Sequence, residues 1–550
     1  MDEEVSFSKQ LRHSGGQVKF SPNSKFVATA LEKKVTVREP HTLEVVSHFS
    51  CVDGVNLIEW APNSDFILCA SFQKGVVQVF SVSDPEWHST IREGVAGLTK
   101  CSWTPDSLHV VTFSDFNLHM TIWSLVSKDM FIIRQPKSII EFSPDNMFMA
   151  VPCRRKCKDW LCIYRLQNDA WVCEVEFELQ TLDLMSIQFG PDGNAIVVYD
   201  SELHYMIQVY SLDGTLLMKY QAYDDALGVK ATSTCTSPCG NFVAVGSHDQ
   251  CLRLLSPLTW RPILEYHHKQ HPKHLPACYK CNEITYYCEV DEAANDTDDK
   301  ENSSFSINNM NMSTNDSVMG HSLSSKSALA NKSSGRLSRA AAGKSLAQRS
   351  FSASRPKHAA SVTFRPNLPS VLPYAPPDAK RPTRGGVGLA SWSSGGRYLA
   401  TRNDSCPTIL WIWDVQGAGL RSVVAFLEPV RAVRWRPVGD GAEEEWAQLA
   451  VATGNQRLYL WAPGTLRWLD CPEGFEASGL RWAAAAAEGQ PSLLAVLTPG
   501  RAAICYMEEG NNHILLDENE ADHHVEECAE EGLGVAITDP QQTVAVVREA

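Results

Sequence analysis

Apolar residues recur along this chain in short alternating runs broken by polar turns. The clearest copy is Gly388 to Asp414, GLASWSSGGRYLATRNDSCPTILWIWD. Leu389 to Trp392 reads as one strand and Ser393 to Gly396 as a turn. Tyr398 to Thr401 is a second strand, Arg402 to Asp404 a polar turn, and Thr408 to Trp413 a third strand. Alternation between Gly-rich turns predicts a meander of antiparallel strands.

The same unit recurs around Phe20, Trp60, Trp103, Phe142, Phe189 and Cys235, and again around Trp392, Trp435 and Trp482. The first six anchors stand 40, 43, 39, 47 and 46 residues apart, and the last three 43 and 47. A period of about 40–45 residues, with a unit closing on Trp413-Asp414, is the signature of a WD-repeat propeller blade. Pro-Asn-Ser, Pro-Asp-Ser, Pro-Asp-Asn and Pro-Asp-Gly follow several anchors, and these residues favour tight bends. The expected fold is all-β: a WD-repeat β-propeller of about nine four-stranded repeats, in seven to nine blades. Six repeats on one side of an insertion and three on the other cannot readily form two closed rings. A single ring is therefore expected, with Val5 to Leu11 as a closing strand that removes an open edge. An Asp in the second turn of a WD repeat usually bonds back into its blade. Asp249 fits that role, and Asn455 is a weaker substitute. The Gly-His pair that usually precedes a blade is almost absent, so stability is expected to rest on apolar packing between blades.

The step from Cys235 to Trp392 is 157 residues, so more than one hundred are inserted there. The chain divides into residues 1–289 (repeats one to six), 290–384 (the insertion), 385–510 (repeats seven to nine) and an acidic tail, 511–550. That tail holds a weak pair of strands in Gly534 to Val547. The insertion opens acidic (DEAANDTDDKE), becomes rich in Ser and Asn, then turns basic between Asp316 and Asp378, with Lys326, Arg336, Arg349 and Lys357 among its cations. Such composition buries too little apolar surface to offset the entropy of ordering, and is read as disordered. The basic half could dock an acidic partner such as tubulin tails, with phosphorylation of serines such as Ser350 as a switch. A solvated tether is an equally good reading.

Composition narrows the function. Net charge is −15, which argues against wholesale nucleic-acid binding. The N-terminus lacks a signal-peptide pattern, and no apolar run spans a bilayer. A cytosolic or nuclear protein is expected, with most of the 17 cysteines as reduced core residues, including Cys69, Cys101, Cys162, Cys235 and Cys251. Cys153, Cys157 and Cys162 straddle a strand turn and read as structural thiols. The one metal-like cluster is His267, His268, His271, His274, Cys278 and Cys281, of which His271, His274, Cys278 and Cys281 could hold zinc. With a single CxxC, the preferred reading is no metal: His271 to Cys288 becomes the outer strand of blade six leaving for the insertion. No nucleophile elbow, P-loop or HExxH occurs, so neither an enzyme nor a cofactor is expected.

Three stretches are more specific than the repeat itself. Phe66 to Leu98 contains Pro-Glu-Trp-His at 85–88. Tyr210 to Lys230 contains AYDDALGVK. Gly386 to Gln416 contains Ala-Thr-Arg-Asn-Asp at 400–404. These resemble a WD-repeat family of centrosomal and centriolar-satellite proteins encoded antisense to a tumour-protein gene, and the resemblance extends over nearly all nine repeats. It implies a non-catalytic scaffold at centrosomes, satellites or spindle poles, anchoring microtubule minus ends and supporting spindle assembly and ciliogenesis. The implied partner is a coiled-coil anchoring protein, with a microtubule motor or tubulin as a further one. The resemblance supplies no contact residues. Two other propeller roles fit the sequence less well. A ubiquitin-ligase receptor often shows Trp-Asp-x-Arg, but Val415 and Gln416 follow Trp413-Asp414 here. An RNA-associated propeller has only the basic insertion in its favour.

Overall fold

The computed structural model describes residues 5–168, 170–224, 227–268, 280–291, 362–366, 368, 385–438, 447–485 and 491–507. The candidate strands in Gly534 to Val547 and most of the insertion lie outside these residues.

Among the described residues the chain forms nine sheets, each built on a four-stranded or three-stranded antiparallel meander: 18–50, 57–92, 100–134, 141–178, 186–220, 229–267, 387–425, 432–470 and 479–507. The first strands of most consecutive sheets contact one another, including the ninth with the first, and so surround a central axis. Each sheet is one blade, and its later strands step outward to the rim.

Nine apolar clusters hold the ring, each between two neighbouring blades. Val27 and Val18 of blade one pack with Ala495 and Ile504 of blade nine. Ile58 and Trp60 of blade two pack on Ala28 and Val35 of blade one. Seven further clusters join blades two to nine in order. Every interface of the cycle is thus filled, so one nine-bladed ring results.

The anchor tryptophans show why residue type and spacing recur together. Trp60 Nε1 donates to Lys19 O at 3.0 Å, and Trp103 Nε1 to Glu59 O at 3.2 Å. Trp392, Trp435 and Trp482 repeat the bond to Cys235 O, Ser391 O and Arg434 O at 3.4, 2.8 and 3.2 Å. Each indole therefore reaches from its own inner strand to the inner strand of the preceding blade. The residue after the anchor closes the first turn. Ser21, Ser143, Ser237 and Ser393 each accept, through Oγ, the backbone N–H five residues on, at 2.9–3.0 Å.

The ring is sealed as the sequence suggests. Val5–Phe7 pairs with Met507 to Cys505, and Leu11–Arg12 pairs with Ala502 and Arg501. The N-terminus thus supplies the outer strand of blade nine.

Blade six ends earlier than the sequence reading had it. Its outer strand is Pro262–His267. The next described strand, Lys280–Asp291, runs parallel to Gly419–Ala425 at the rim of blade seven, and Val362–Arg365 adds a sixth strand beyond it. His271 to Cys288 is therefore not the edge of blade six. The rim of blade seven gains both strands that flank the insertion. The reason lies in Glu289, whose side chain is buried beside blade eight. Its Oε2 accepts Leu427 N at 2.9 Å and its Oε1 accepts the Tyr459 hydroxyl at 2.5 Å.

Candidate partner-binding face

Antiparallel order puts the first and third turns of every blade on one side of the ring. The second turns and the blade-to-blade connections share the other side, here called the connection face. Buried polar networks brace this face and position its loops.

In blade seven, Thr401 Oγ1 stands 2.8 Å from His268 Nε2 and accepts the Trp413 indole N–H at 2.9 Å. His268 is buried, edge-on to Trp411 and Trp413. Burial drives its pKa down to about 4. In blade three, Glu93 replaces the histidine. Its Oε1 accepts both Thr112 and Thr121 hydroxyls at 3.1 Å, and Thr112 Oγ1 accepts the Trp123 indole at 2.8 Å. Apolar clusters do join the blades as expected, but polar networks are present beside them, built from residues other than a Gly-His pair.

Blade four uses Asp159, wholly buried. It accepts Arg154 Nη1 at 2.8 Å, Thr181 Oγ1 at 2.9 Å and Leu184 N at 2.7 Å. Burial alone would raise its pKa. The hydrogen bonds from Arg154, Leu184 and Lys137 outweigh burial and hold it below the usual range. Asp249 plays its expected part in blade six, accepting Cys251 N at 3.0 Å and Arg253 Nη2 at 2.8 Å. Asn455 does the same in blade eight, accepting Arg457 N at 3.0 Å and donating to the Tyr459 hydroxyl at 2.7 Å.

Charge also collects along the inner strands. Burial raises Glu59, while Lys19 and Lys100 pull it back. Burial pushes Glu141 up to about 7, opposed by Lys100. Cys101 lies among these half-buried groups, and burial pushes its thiol up to about 12.

The zinc candidates His271, His274 and Cys278 lie outside the described residues, as does the side chain of Cys281. Their neighbour His268 serves the blade-seven network instead. Cys251, Glu265 and His267 bring their donor atoms within 4.8 Å of one another, but Arg253 Nε already donates to Glu265 Oε1 at 3.1 Å. The cysteines of the described residues are all free thiols. Cys153 and Cys162 face each other with sulfurs 3.9 Å apart, and Cys157 is exposed at the turn between their strands.

The connection face carries the exposed apolar side chains that the core does not use. Of twenty large apolar residues exposed among the described ones, eight stand on this face and three on the opposite face; the rest lie on outer strands. Val52, Val95, Phe116, Leu118, Leu182 and Leu203 are among the eight. Sequence reasoning did not single them out, since lone apolar residues in loops look like strand ends. The one signal was Phe116, an aromatic within the polar turn Asp115-Phe116-Asn117. Asp291 and Val362, flanking the insertion, also stand at the connection-face end of blade seven.

Repeating blades, anchor tryptophans, turn chemistry and closure by the N-terminal strand define a WD-repeat β-propeller. The protein-family model "WD domain, G-beta repeat" matches residues 211–256, from the outer strand of blade five through the third strand of blade six. The WD repeat-containing protein WRAP73 of Mus musculus is 32% identical over 514 residues, covering 92% of this chain and 96% of that protein. The chain belongs to the WRAP73 family of WD repeat-containing proteins. An uncharacterized WD repeat-containing protein of Schizosaccharomyces pombe is 26% identical over 248 residues, covering 42% of this chain and 50% of that protein. Among solved structures, Kluyveromyces lactis Hsv2 aligns with a TM-score of 0.34 at 14% identity, covering 45% of this chain and 75% of the other.

Proposed function

We propose that this protein is a non-catalytic adaptor at centrosomes, centriolar satellites or spindle poles. In this reading it supports microtubule minus-end anchoring, spindle assembly and ciliogenesis through a coiled-coil partner, with a microtubule motor or tubulin as a further contact. The observation that supports it is full-length similarity to WRAP73, 92% of this chain against 96% of that protein. The family-specific stretches Pro85 to His88 and Ala400 to Asp404 both fall within blades. A rigid ring with apolar side chains on its connection face suits docking, though fold by itself decides no function.

The test is localisation in dividing cells of the full chain and of a chain lacking residues 292–361. Those bounds spare Lys280–Asp291 and Val362–Arg365, which belong to blade seven. Pole or satellite signal from both is expected, with the blades as the adaptor. Signal from the full chain alone moves the contact into the insertion. Absence of both removes the centrosomal reading. RNA that co-purifies, is lost with the insertion and weakens steeply with salt would favour the RNA-associated alternative.

A further inference from the structure

We infer that the connection face of blades two to four is a docking surface for an acidic, apolar-faced helical segment of a partner protein. This proposal rests on the adaptor reading and specifies where the ring takes its partner.

The surface is continuous. Gly75 O of the blade-two turn accepts Glu93 N at 3.1 Å. The following loop abuts the blade-three turn at Gly97, where a Cβ would lie 2.4 Å from Asp115 Oδ2. Gly97 also has φ 72°, so both space and backbone require glycine there. The blade-three turn meets the next connection through Asn117 and Ser138, whose side chains are hydrogen-bonded, and through Gln135 N to Leu118 O at 3.0 Å. Arg154 N donates to Gln135 O at 3.0 Å and joins the blade-four hairpin to the same surface.

Its centre is apolar. Val95 is fully exposed at 108% and Phe116 at 93%, with Leu118 beside them. Phe116 lies at φ 56° and Asn117 at φ 54°. Trp260 has the same φ but is buried in the core of the blade five and six interface, whereas Phe116 holds its ring out in solvent. Buried aromatics also dominate interface energetics.

Its rim is cationic. Lys74, Arg92, Arg134 and Lys156 are exposed, and no carboxylate lies within ion-pair distance of any of them among the described residues. The chain as a whole carries −15. Four unpaired cations around three apolar side chains therefore complement a partner of the opposite sign. An amphipathic helix can present an apolar stripe to Phe116 and Val95 with carboxylates flanking it.

The test places a photo-crosslinking phenylalanine analogue at position 116 of the full chain in dividing cells, with position 258 as control. Leu258 is equally exposed, at 93%, on the opposite face. The expected product at 116 is a cross-link to an acidic segment of another protein with apolar residues three and four apart. Charge reversal by Arg92→Glu with Arg134→Glu should cut the yield at least about 30-fold, and melting should be unchanged because both residues are exposed. Cross-links to this chain's own residues 508–550, to a second copy, or to a basic segment overturn the proposal. So does a yield at 116 no higher than at 258, or one that charge reversal leaves intact. Localisation separates the two readings. A chain that reaches the poles without cross-linking at 116 refutes the surface alone. A chain that cross-links an acidic segment away from the poles refutes the centrosomal site alone.

Discussion

His268 links the connection face to the core of blade seven, and its titration can be isolated. The ring is buried against Trp411 and Trp413, with Nε2 at 2.8 Å from the Thr401 hydroxyl. Thr401 Oγ1 also accepts the Trp413 indole. Burial against the two indole rings strips water from the imidazole and so disfavours its cation. The side chain titrates near its ordinary 6.5 in the unfolded chain and at about 4 in the folded one, chiefly because burial disfavours the cation. Below pH 6.5 the unfolded chain therefore gains a proton that the folded chain refuses. The stabilisation is complete above 6.5 and is lost as pH falls toward 4. The loss is about 2.5 kcal/mol by pH 4.5 and about 3 kcal/mol below it. His268→Gln keeps a group able to reach Thr401 and removes the charge. Urea unfolding of both chains, followed by tryptophan fluorescence from about pH 7.5 to about pH 4.5, gives the difference directly. His13 and His248, also lowered by burial, are common to both chains and cancel. The wild type should lose about 2.5 kcal/mol more than the variant across that range. Parallel pH profiles, within about 0.5 kcal/mol, would falsify the assignment of a buried neutral histidine.

Trp435→Phe removes the donor to Ser391 O while keeping most of the ring, and should cost about 1 kcal/mol in urea unfolding; an unchanged midpoint would show that the indole bond does not join blades seven and eight. Removing residues 1–12 leaves Arg501–Met507 as an unpaired apolar edge, and light scattering should show concentration-dependent association. A monomer of unchanged stability would mean that closure does not depend on Val5–Phe7 and Leu11–Arg12. Glu289→Ala strands Leu427 N and the Tyr459 hydroxyl and should cost about 2 kcal/mol or more, whereas deleting 292–361 should leave thermal unfolding unchanged. Equal melting of Glu289→Ala and wild type would deny that the strand before the insertion is bound into the ring.

What was legible in the sequence follows from which contacts fix residue type and spacing together. An indole that must reach the preceding inner strand constrains both, so Trp60, Trp103, Trp392, Trp435 and Trp482 announced their blades. Ring closure was legible because a single ring needs its open edge paired, and Val5 to Leu11 can supply that strand. The polar networks were not, because the role at the blade entrance asks only for a buried polar group that can bond a Thr hydroxyl. Glu93 fills it in blade three as His268 does in blade seven, with Thr and Trp partners in the same arrangement. His268 also stands among other histidines at 267, 271 and 274, where composition suggests metal and only burial reveals a hydrogen-bonding role.

The two strands added to blade seven escaped for a different reason. Their sheet neighbours come from 71 to 140 residues away, and Val362–Arg365 sits in sequence whose composition reads as disordered. No local period marks such pairing. Glu289, an acid within the mainly apolar run Ile284 to Val290, was the available clue, since a buried carboxylate requires donors that blade eight supplies. The connection face illustrates the same limit from the opposite side. Val95 and Leu118 look like strand ends, Phe116 interrupts a polar turn, and exposure is what separates all three from core residues. Periodicity therefore identifies the ring, while departures from it, acid where apolar is expected and aromatic where polar is expected, point to what the ring holds and what it presents.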